Sequence, residues 1–164
     1  MSATMQTGRT WKLGENVDTD VLAPGRYMKF GIDEIAKHCL EDLLPQFAAT
    51  VKPGDVIVAG RNFGAGSSRE QAPQALMHLG VAAVLAPSFA GLFYRNALNL
   101  GLPVLVCETA PAIGDNLPVS VNPETGAIEA GGEPYRCEPI PGFLLQMVRD
   151  GGLLPHLEKK LGKK

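Results

Sequence analysis

The segment Gly60-Arg61-Asn62-Phe63-Gly64-Ala65-Gly66-Ser67-Ser68-Arg69-Glu70 places three glycines, two adjacent hydroxyls, a guanidinium and a carboxylate directly behind the apolar run VIVA (56–59). A strand, a glycine-rich loop and a helix in that order can cradle an anion. The first N–H groups of a helix lack intrahelical partners and carry partial positive charge. Nucleotide phosphate fits poorly. A P-loop needs a lysine before its serine or threonine, and a dinucleotide loop needs a third glycine where Arg69 stands. GAGSS is not the GxSxG of a nucleophilic serine, and His38, His78 and His156 declare no base partner by position. Ser67 with Glu70, and Ser68 with Gln71, have capping-box spacing, so a plain helix cap is the competing reading of either serine. Yet two hydroxyls and an arginine on one glycine loop exceed what a cap requires, and Pro73 removes a backbone donor from the early turns. The fork of Arg69 suits a carboxylate through two parallel hydrogen bonds. Its charge, added to unpaired N–H groups, lowers the cost of an ionised serine oxygen. Such an alkoxide can take a proton from the carbon beside a carboxylate when water is kept out.

Elements must hold these groups in place. RTWKL reads as a first strand with Trp11 and Leu13 on one face, and ENVDTDVLAPGRYMKFG as a long loop. Asp33 reads as the N-cap of a helix in which Ile32, Ile35, Ala36, Cys39, Leu40 and Leu43 recur at helical spacing. VIVA (56–59), VAAVLA (81–86) and LPVLVC (102–107) read as buried strands. Between them lie two helices. One carries Ala72, Ala75, Leu76 and Leu79 and ends at Gly80; the other is capped by Ser88 and stopped by Gly101. Strands poor in polar residues that alternate with helices predict a mostly parallel β-α-β-α-β core. PVSVNPETGAIEAGG then predicts a hairpin about NPETG, and FLLQMVRDGG a terminal helix with Phe143, Leu144, Met147 and Val148 inward. The chain reads as one α/β domain over residues 1–164 with added β elements and a flexible tail from about residue 157.

Composition narrows the function class. Of 164 residues, 45% are hydrophobic and 20% charged, ordinary values for a globular protein, and the net charge of −2 gives no electrostatic case for nucleic acid or an acidic membrane. The run EKKLGKK at the end reads as a solvated terminus. Cys39, Cys107 and Cys137 have neither CxxC nor metal-ligand spacing, which predicts reduced thiols in the cytoplasm and no metal site. The first residues lack an apolar signal core, and no apolar stretch reaches membrane-spanning length.

GRNFGAGSSREQA resembles a signature of the swivelling domain of the aconitase superfamily, and NVDTDVLAPGRY resembles the second signature, near the start of that domain. Their order and separation match, as does AVLAPSFAGLFYRNALNLGLPVL, so the resemblance covers roughly residues 8 to 150. It implies a swivelling β/β/α fold. From the length it also implies a separately encoded small subunit that docks on an iron–sulfur large subunit as a heterodimer or heterotetramer. The reaction implied is that of a hydro-lyase: water leaves a 2-hydroxy acid and is re-added at the neighbouring carbon. The substrate implied is 2- or 3-isopropylmalate, in leucine biosynthesis. Homoaconitase-type and dimethylmalate-type acids are the near alternatives, and a non-catalytic small-molecule-binding module the remote one. A [4Fe–4S] cluster on the large subunit would act on the departing hydroxyl as a Lewis acid, so no cofactor is expected in this chain.

Carried over by motif position, Ser67, Arg69 and Asp20 form the candidate catalytic set. Ser67 takes the carbon-bound proton and returns it; Asp20 orients Ser67, Arg69 or substrate. Ser68 and Arg69 would bind the carboxylate nearest the reacting carbon, and Thr19 reaches the site. For Asp18 and Asp20 an Asx turn or a helix cap is the competing reading, and for Asp18 the better one. Tyr27, Met28, Lys29 and Phe30 occupy the loop in which relatives read the variable substituent of the substrate. Met28 and Phe30 suit an isopropyl group, whose burial is worth about 1.5–3 kcal/mol. Lys29 departs from that pattern and either points to solvent or binds a third carboxylate. Gln71 stands where aconitase has a histidine, which removes any role of that histidine here.

Overall fold

Three apolar runs form short strands, buried almost throughout: β2 (Val56–Val58), β3 (Ala83–Ala86) and β4 (Val104–Val106). They belong to a computed structural model that describes residues 6–67 and 69–162. Seven strands make one sheet in the order β4-β3-β2-β1-β5-β6-β7, where β1 is Gln6–Lys12, β5 Pro118–Asn122, β6 Ala127–Ala130 and β7 Glu133–Arg136. The half from β1 to β4 is parallel and the half from β1 to β7 antiparallel. β1 serves both halves. Gln6 to Arg9 pair with β5, and Thr10 to Lys12 pair with β2. At the changeover stands Gly8, where a Cβ would lie 2.1 Å from the carbonyl oxygen of Gly54, so only a glycine lets the two segments cross.

The β2–β3 connection carries helix α4 (Gln71–His78), and the β3–β4 connection carries α5 (Gly91–Leu100). Both crossovers step one strand in the same direction. Right-handed connections then put both helices on one face, where they pack on each other. The sheet curls so far that the chain leaving β7 returns to β4: the N–H of Glu138 donates to the carbonyl of Val106 at 2.8 Å. This curl makes the antiparallel half a second β layer. Phe47, in the short helix α3 (Phe47–Thr50), and Phe63 and Phe93 are the largest side chains enclosed in the core. The expected parallel core and the NPETG hairpin are both present, and the architecture is the mixed α/β one that the sequence predicts.

Elsewhere the structure corrects the sequence. The helix expected to reach Leu43 is α2 (Ile32–Lys37), with Gly31 as N-cap and Asp33 inside its first turn. It stops because Leu40 takes a left-handed φ of +62°, which leaves Leu43 49% exposed. Ser88 does not cap α5, whose N-cap is Ala90; its hydroxyl accepts from the N–H of Asn62 instead. In α6 (Gly142–Arg149) the inward face is Leu144, Leu145, Met147 and Val148, so Phe143, about a third of a turn off that face, is exposed. Helix α7 (Leu153–Leu161) was not expected: it buries no residue fully, and it extends the chain as helix to Leu161 through most of the expected tail. Among the described residues no helix is long and apolar enough to cross a membrane.

The glycine loop is bound to this frame through Gly64, which has φ +87° and packs its backbone on the ring of Phe93, where a Cβ would come within 2.3 Å. Gly64→Ala combines a strained φ with that overlap, so the isolated chain should lose at least roughly 1–3 kcal/mol. Urea denaturation checks this, and wild-type stability in the variant would contradict the packing.

Candidate active site

β1 and β2 are adjacent and parallel, and the loops that leave their carboxyl ends stay paired after the strands stop. N–H donates to C=O from Leu13 to Val58 (2.9 Å), Gly60 to Gly14 (3.0 Å), Asn16 to Arg61 (2.9 Å), Gly64 to Val17 (2.7 Å) and Thr19 to Ala65 (2.8 Å). Asn16 and Asn62 both take left-handed φ, and the Asn62 amide donates to the Asn16 side-chain oxygen at 2.9 Å. The pairing thus draws together two sequence segments about fifty residues apart, just outside the strand ends where parallel sheets bind ligands.

Four of the expected residues meet here. The hydroxyl of Thr19, buried in the short helix α1 (Thr19–Leu22), lies 3.4 Å from the hydroxyl of Ser67. Ser67 itself is exposed. Nη1 of Arg69 donates to Oδ1 of Asp20 at 3.1 Å and to the carbonyl of Ala23 at 2.9 Å. That same Oδ1 accepts the N–H of Gly25 at 2.8 Å, so one carboxylate oxygen joins the glycine loop to the turn Gly25–Tyr27. The Ser67–Glu70 capping box, the competing reading of that serine, does not form. α4 begins at Gln71 with Glu70 as N-cap in helical backbone and no side-chain cap, because the chain turns at Gly66 (φ +105°) before Ser67. Ser68 lies outside the described residues. Asp18 is a helix cap, accepting the N–H of Val21 at 2.9 Å.

The tetrapeptide Tyr27–Phe30, expected to read the substrate, divides. Met28 is half-buried against the core, while Lys29 is exposed with its ammonium 5.5 Å from the centroid of the half-exposed Phe30 ring. Tyr27 joins a polar group that sequence reasoning missed. Its hydroxyl donates to Oε2 of Glu41 at 3.0 Å, and its ring stacks on His38 with centroids 3.6 Å apart. The i,i+4 spacing of Glu34 and His38 was a sequence signal for part of this group; nothing in the sequence marks the carbonyl of Ala23 as a partner for Arg69.

Three groups hold the Asp20 carboxyl below the ordinary aspartate value: first the N–H of Gly25, then the hydrogen bond and charge of Arg69, and last the charge of Arg26. The carboxylate is therefore charged at neutral pH. The cysteines are free and buried, and among the described residues no three His, Cys, Asp or Glu side chains stand together to hold a metal ion. Among the described residues no donor set fits an iron–sulfur cluster.

The model of the aconitase C-terminal domain matches residues 40–109. Over 94% of its length the chain is 50% identical to the methanogen homoaconitase small subunit of Methanothermobacter thermautotrophicus, of which 91% is covered. Over 94% of its length it is 45% identical to the 3-isopropylmalate dehydratase small subunit of Syntrophus aciditrophicus, of which 96% is covered. The crystal structure of 3-isopropylmalate dehydratase (leuD) from Methanocaldococcus jannaschii superposes with a TM-score of 0.89 at 40% identity, covering 95% of each chain.

The link through Asp20 has a pH signature. A carboxyl lowered on folding contributes its interaction fully above its ordinary pKa and loses it as pH falls through the lowered value. Carboxylate NMR should show Asp20 titrating below about 3.9. Arg69→Gln should raise that value only part of the way, because the Gly25 N–H remains. A complete return to the ordinary value would show that Arg69 alone sets it.

Proposed function

The chain belongs to the aconitase C-terminal domain family, and we propose that it acts as the small subunit of a hydro-lyase that interconverts 2- and 3-isopropylmalate. One observation carries the chemistry: the exposed Ser67 hydroxyl stands beside buried Thr19, on loops that also deliver the Arg69–Asp20 pair. On this reading a large subunit holds the [4Fe–4S] cluster and supplies Lewis-acid chemistry at the departing hydroxyl. This chain binds carboxylate, moves the proton and helps exclude water.

Ser67, as alkoxide, takes the proton from the carbon beside a substrate carboxylate. An O–H bond forms as the C–H bond breaks, and the electron pair becomes the double bond as hydroxyl leaves the neighbouring carbon. In the return half Ser67 delivers the proton to the carbon that lost hydroxyl, the double-bond pair forming the new C–H bond, and hydroxyl adds at the carbon that lost the proton. Thr19 donates a hydrogen bond to the Ser67 oxygen, and the Arg69 charge favours its ionised form. Arg69 meets the substrate carboxylate along the edge of its fork away from Nη1, while Asp20 fixes the plane of the guanidinium. Ser68 adds a hydroxyl to the same carboxylate.

A second reading has its own support. The relative at 50% identity is a homoaconitase small subunit, and Lys29 is an exposed cation in the substituent-reading loop. A tricarboxylic acid would place its third carboxylate there. Reconstitution with the large subunit under anaerobic conditions, and rates on both acids, separates the two. We expect kcat/KM for 3-isopropylmalate to exceed that for homoaconitate at least about tenfold. The reverse order, with Lys29→Met weakening only the tricarboxylic acid, would establish the second reading.

Ser67→Ala should leave assembly intact and lower kcat by about 10²–10⁴-fold, the range general-base catalysis supplies. Wild-type turnover in a stable Ser67→Ala complex refutes the proton-transfer role.

A further inference from the structure

Glu41 is the centre of a polar group on the far side of the turn Gly25–Tyr27. Its Oε2 accepts from Nη2 of Arg26 at 2.5 Å and from the Tyr27 hydroxyl at 3.0 Å. Its Oε1 lies 2.6 Å from Nδ1 of His38, whose Nε2 lies 3.1 Å from Oε2 of Glu34. The His38 and Tyr27 rings are stacked only 7° from parallel, and the Arg26 guanidinium sits 5.1 Å above the other part of the arrangement, the Tyr27 ring centroid. Two successive residues of the turn are therefore held by charge-assisted bonds, one of them by stacking as well.

Global stability does not explain this arrangement. Arg26 is 52% exposed and Glu41 27%, and ion pairs at that exposure contribute little to folding. The backbone, however, is distorted to present Glu41. Leu40, immediately before it, has φ +62° and is fully buried, with its N–H donating to the carbonyl of Val21. Among the described residues the other non-glycine positive φ values belong to Asn16, Asn62 and Asn116. Asparagine tolerates that region; leucine rarely enters it, and such outliers concentrate where function fixes a side chain. The opposite end of the turn is held by Asp20 through the N–H of Gly25, on the oxygen that also holds Arg69.

We propose that Glu41 is a positioning residue for substrate selection: by fixing Arg26, Tyr27 and His38 it sets the path of Met28–Phe30, the segment that meets the variable group of the substrate. This rests on the proposed function, which gives that segment its role. Glu41 touches no substrate itself.

His38 supplies a pH readout. Hydrogen bonds to Glu41, first, and Glu34 raise its pKa above the ordinary imidazole value. The groups around it are Glu34 and Lys37 on α2, Glu41 and Asp42 in the following turn, and Arg26 and Tyr27 opposite; His78 of α4 faces Asp33 instead. A raised pKa means the brace is complete below the ordinary value and weakens as pH rises through the raised one.

The test uses the holoenzyme reconstituted with its large subunit. Substrates are 3-isopropylmalate and 3-methylmalate, which keeps both carboxylates and trims the branch. In Glu41→Gln the KM for 3-isopropylmalate should rise about five- to tenfold, with kcat within about twofold and the KM for 3-methylmalate nearly unchanged. The wild-type rise of KM with pH should move to lower pH in that variant. Tyr27→Phe, which deletes one donor and keeps the ring, should move selectivity the same way by about two- to threefold. Equal losses on both substrates, or unchanged selectivity in an active enzyme, overturn the positioning role and leave the Ser67 chemistry standing. A wild-type holoenzyme inactive on both acids removes the proposed function, and this inference with it.

Discussion

Parallel pairing that outlasts β1 and β2 is the constraint on which the site depends. Each of the N–H···O=C bonds between residues 13–19 and 58–65 contributes only about 0.5–1.5 kcal/mol net, but together they fix the relative register of two loops. Register matters because Thr19 and Asp20 must reach Ser67 and Arg69 without slack. Backbones that close leave little room for side chains. Asn16, Asn62, Gly64 and Gly66 meet that requirement, all at positive φ. The glycine loop is therefore best understood as one half of a two-stranded extension of the sheet, with Ser67 at its tip. Within that loop the N–H groups of Gly60 and Gly64 are committed to the pairing, and those of Asn62 and Phe63 to Ser88.

Asp20 converts that register into charge geometry. One of its oxygens accepts from both Gly25 and Arg69, so its position ties the glycine loop to the turn Gly25–Tyr27. A lysine at position 69 would supply charge without a plane. The guanidinium fork can donate to Asp20 and Ala23 from one nitrogen while its orientation for a second carboxylate stays fixed. Asp20 is 60% exposed, so its contribution lies in orientation more than in stability.

The parts of this molecule that were legible in the sequence are those set by local rules. VIVA, VAAVLA and LPVLVC announced buried strands through continuous apolar character, and NPETG announced its hairpin through turn chemistry. The chemical types at residues 19–20 and 67–69 pointed to carboxylate binding and an activated hydroxyl, but only the resemblance to a family linked the two segments. Tertiary contacts overruled the rest. Apolar spacing carried helix α2 too far because it does not register the left-handed backbone that the buried Leu40 adopts. The serines had capping spacing, but the helix starts beyond them. β7 was hidden by its exposed, proline-bearing sequence, which suits an edge strand, and α7 by its lack of a fully buried face. Glu41 carried no motif at all; its role depends on a turn that folds back from residues 26 and 27.

Exposure of Ser67 divides the labour between two chains on the proposed reading. At a fixed separation the attraction between a cation and an alkoxide grows several-fold as the effective dielectric falls from that of bulk water to that of a partly shielded site. With water at its surface, Ser67 gains little from Arg69. Covering the same geometry raises the gain several-fold with no change in any contact within this chain. The small subunit then supplies a preset arrangement of hydroxyls, guanidinium and carboxylate, and the large subunit supplies the dryness that makes it basic. An arrangement inert in water and active only when covered also confines the alkoxide to the assembled state, where a substrate is present to accept its chemistry.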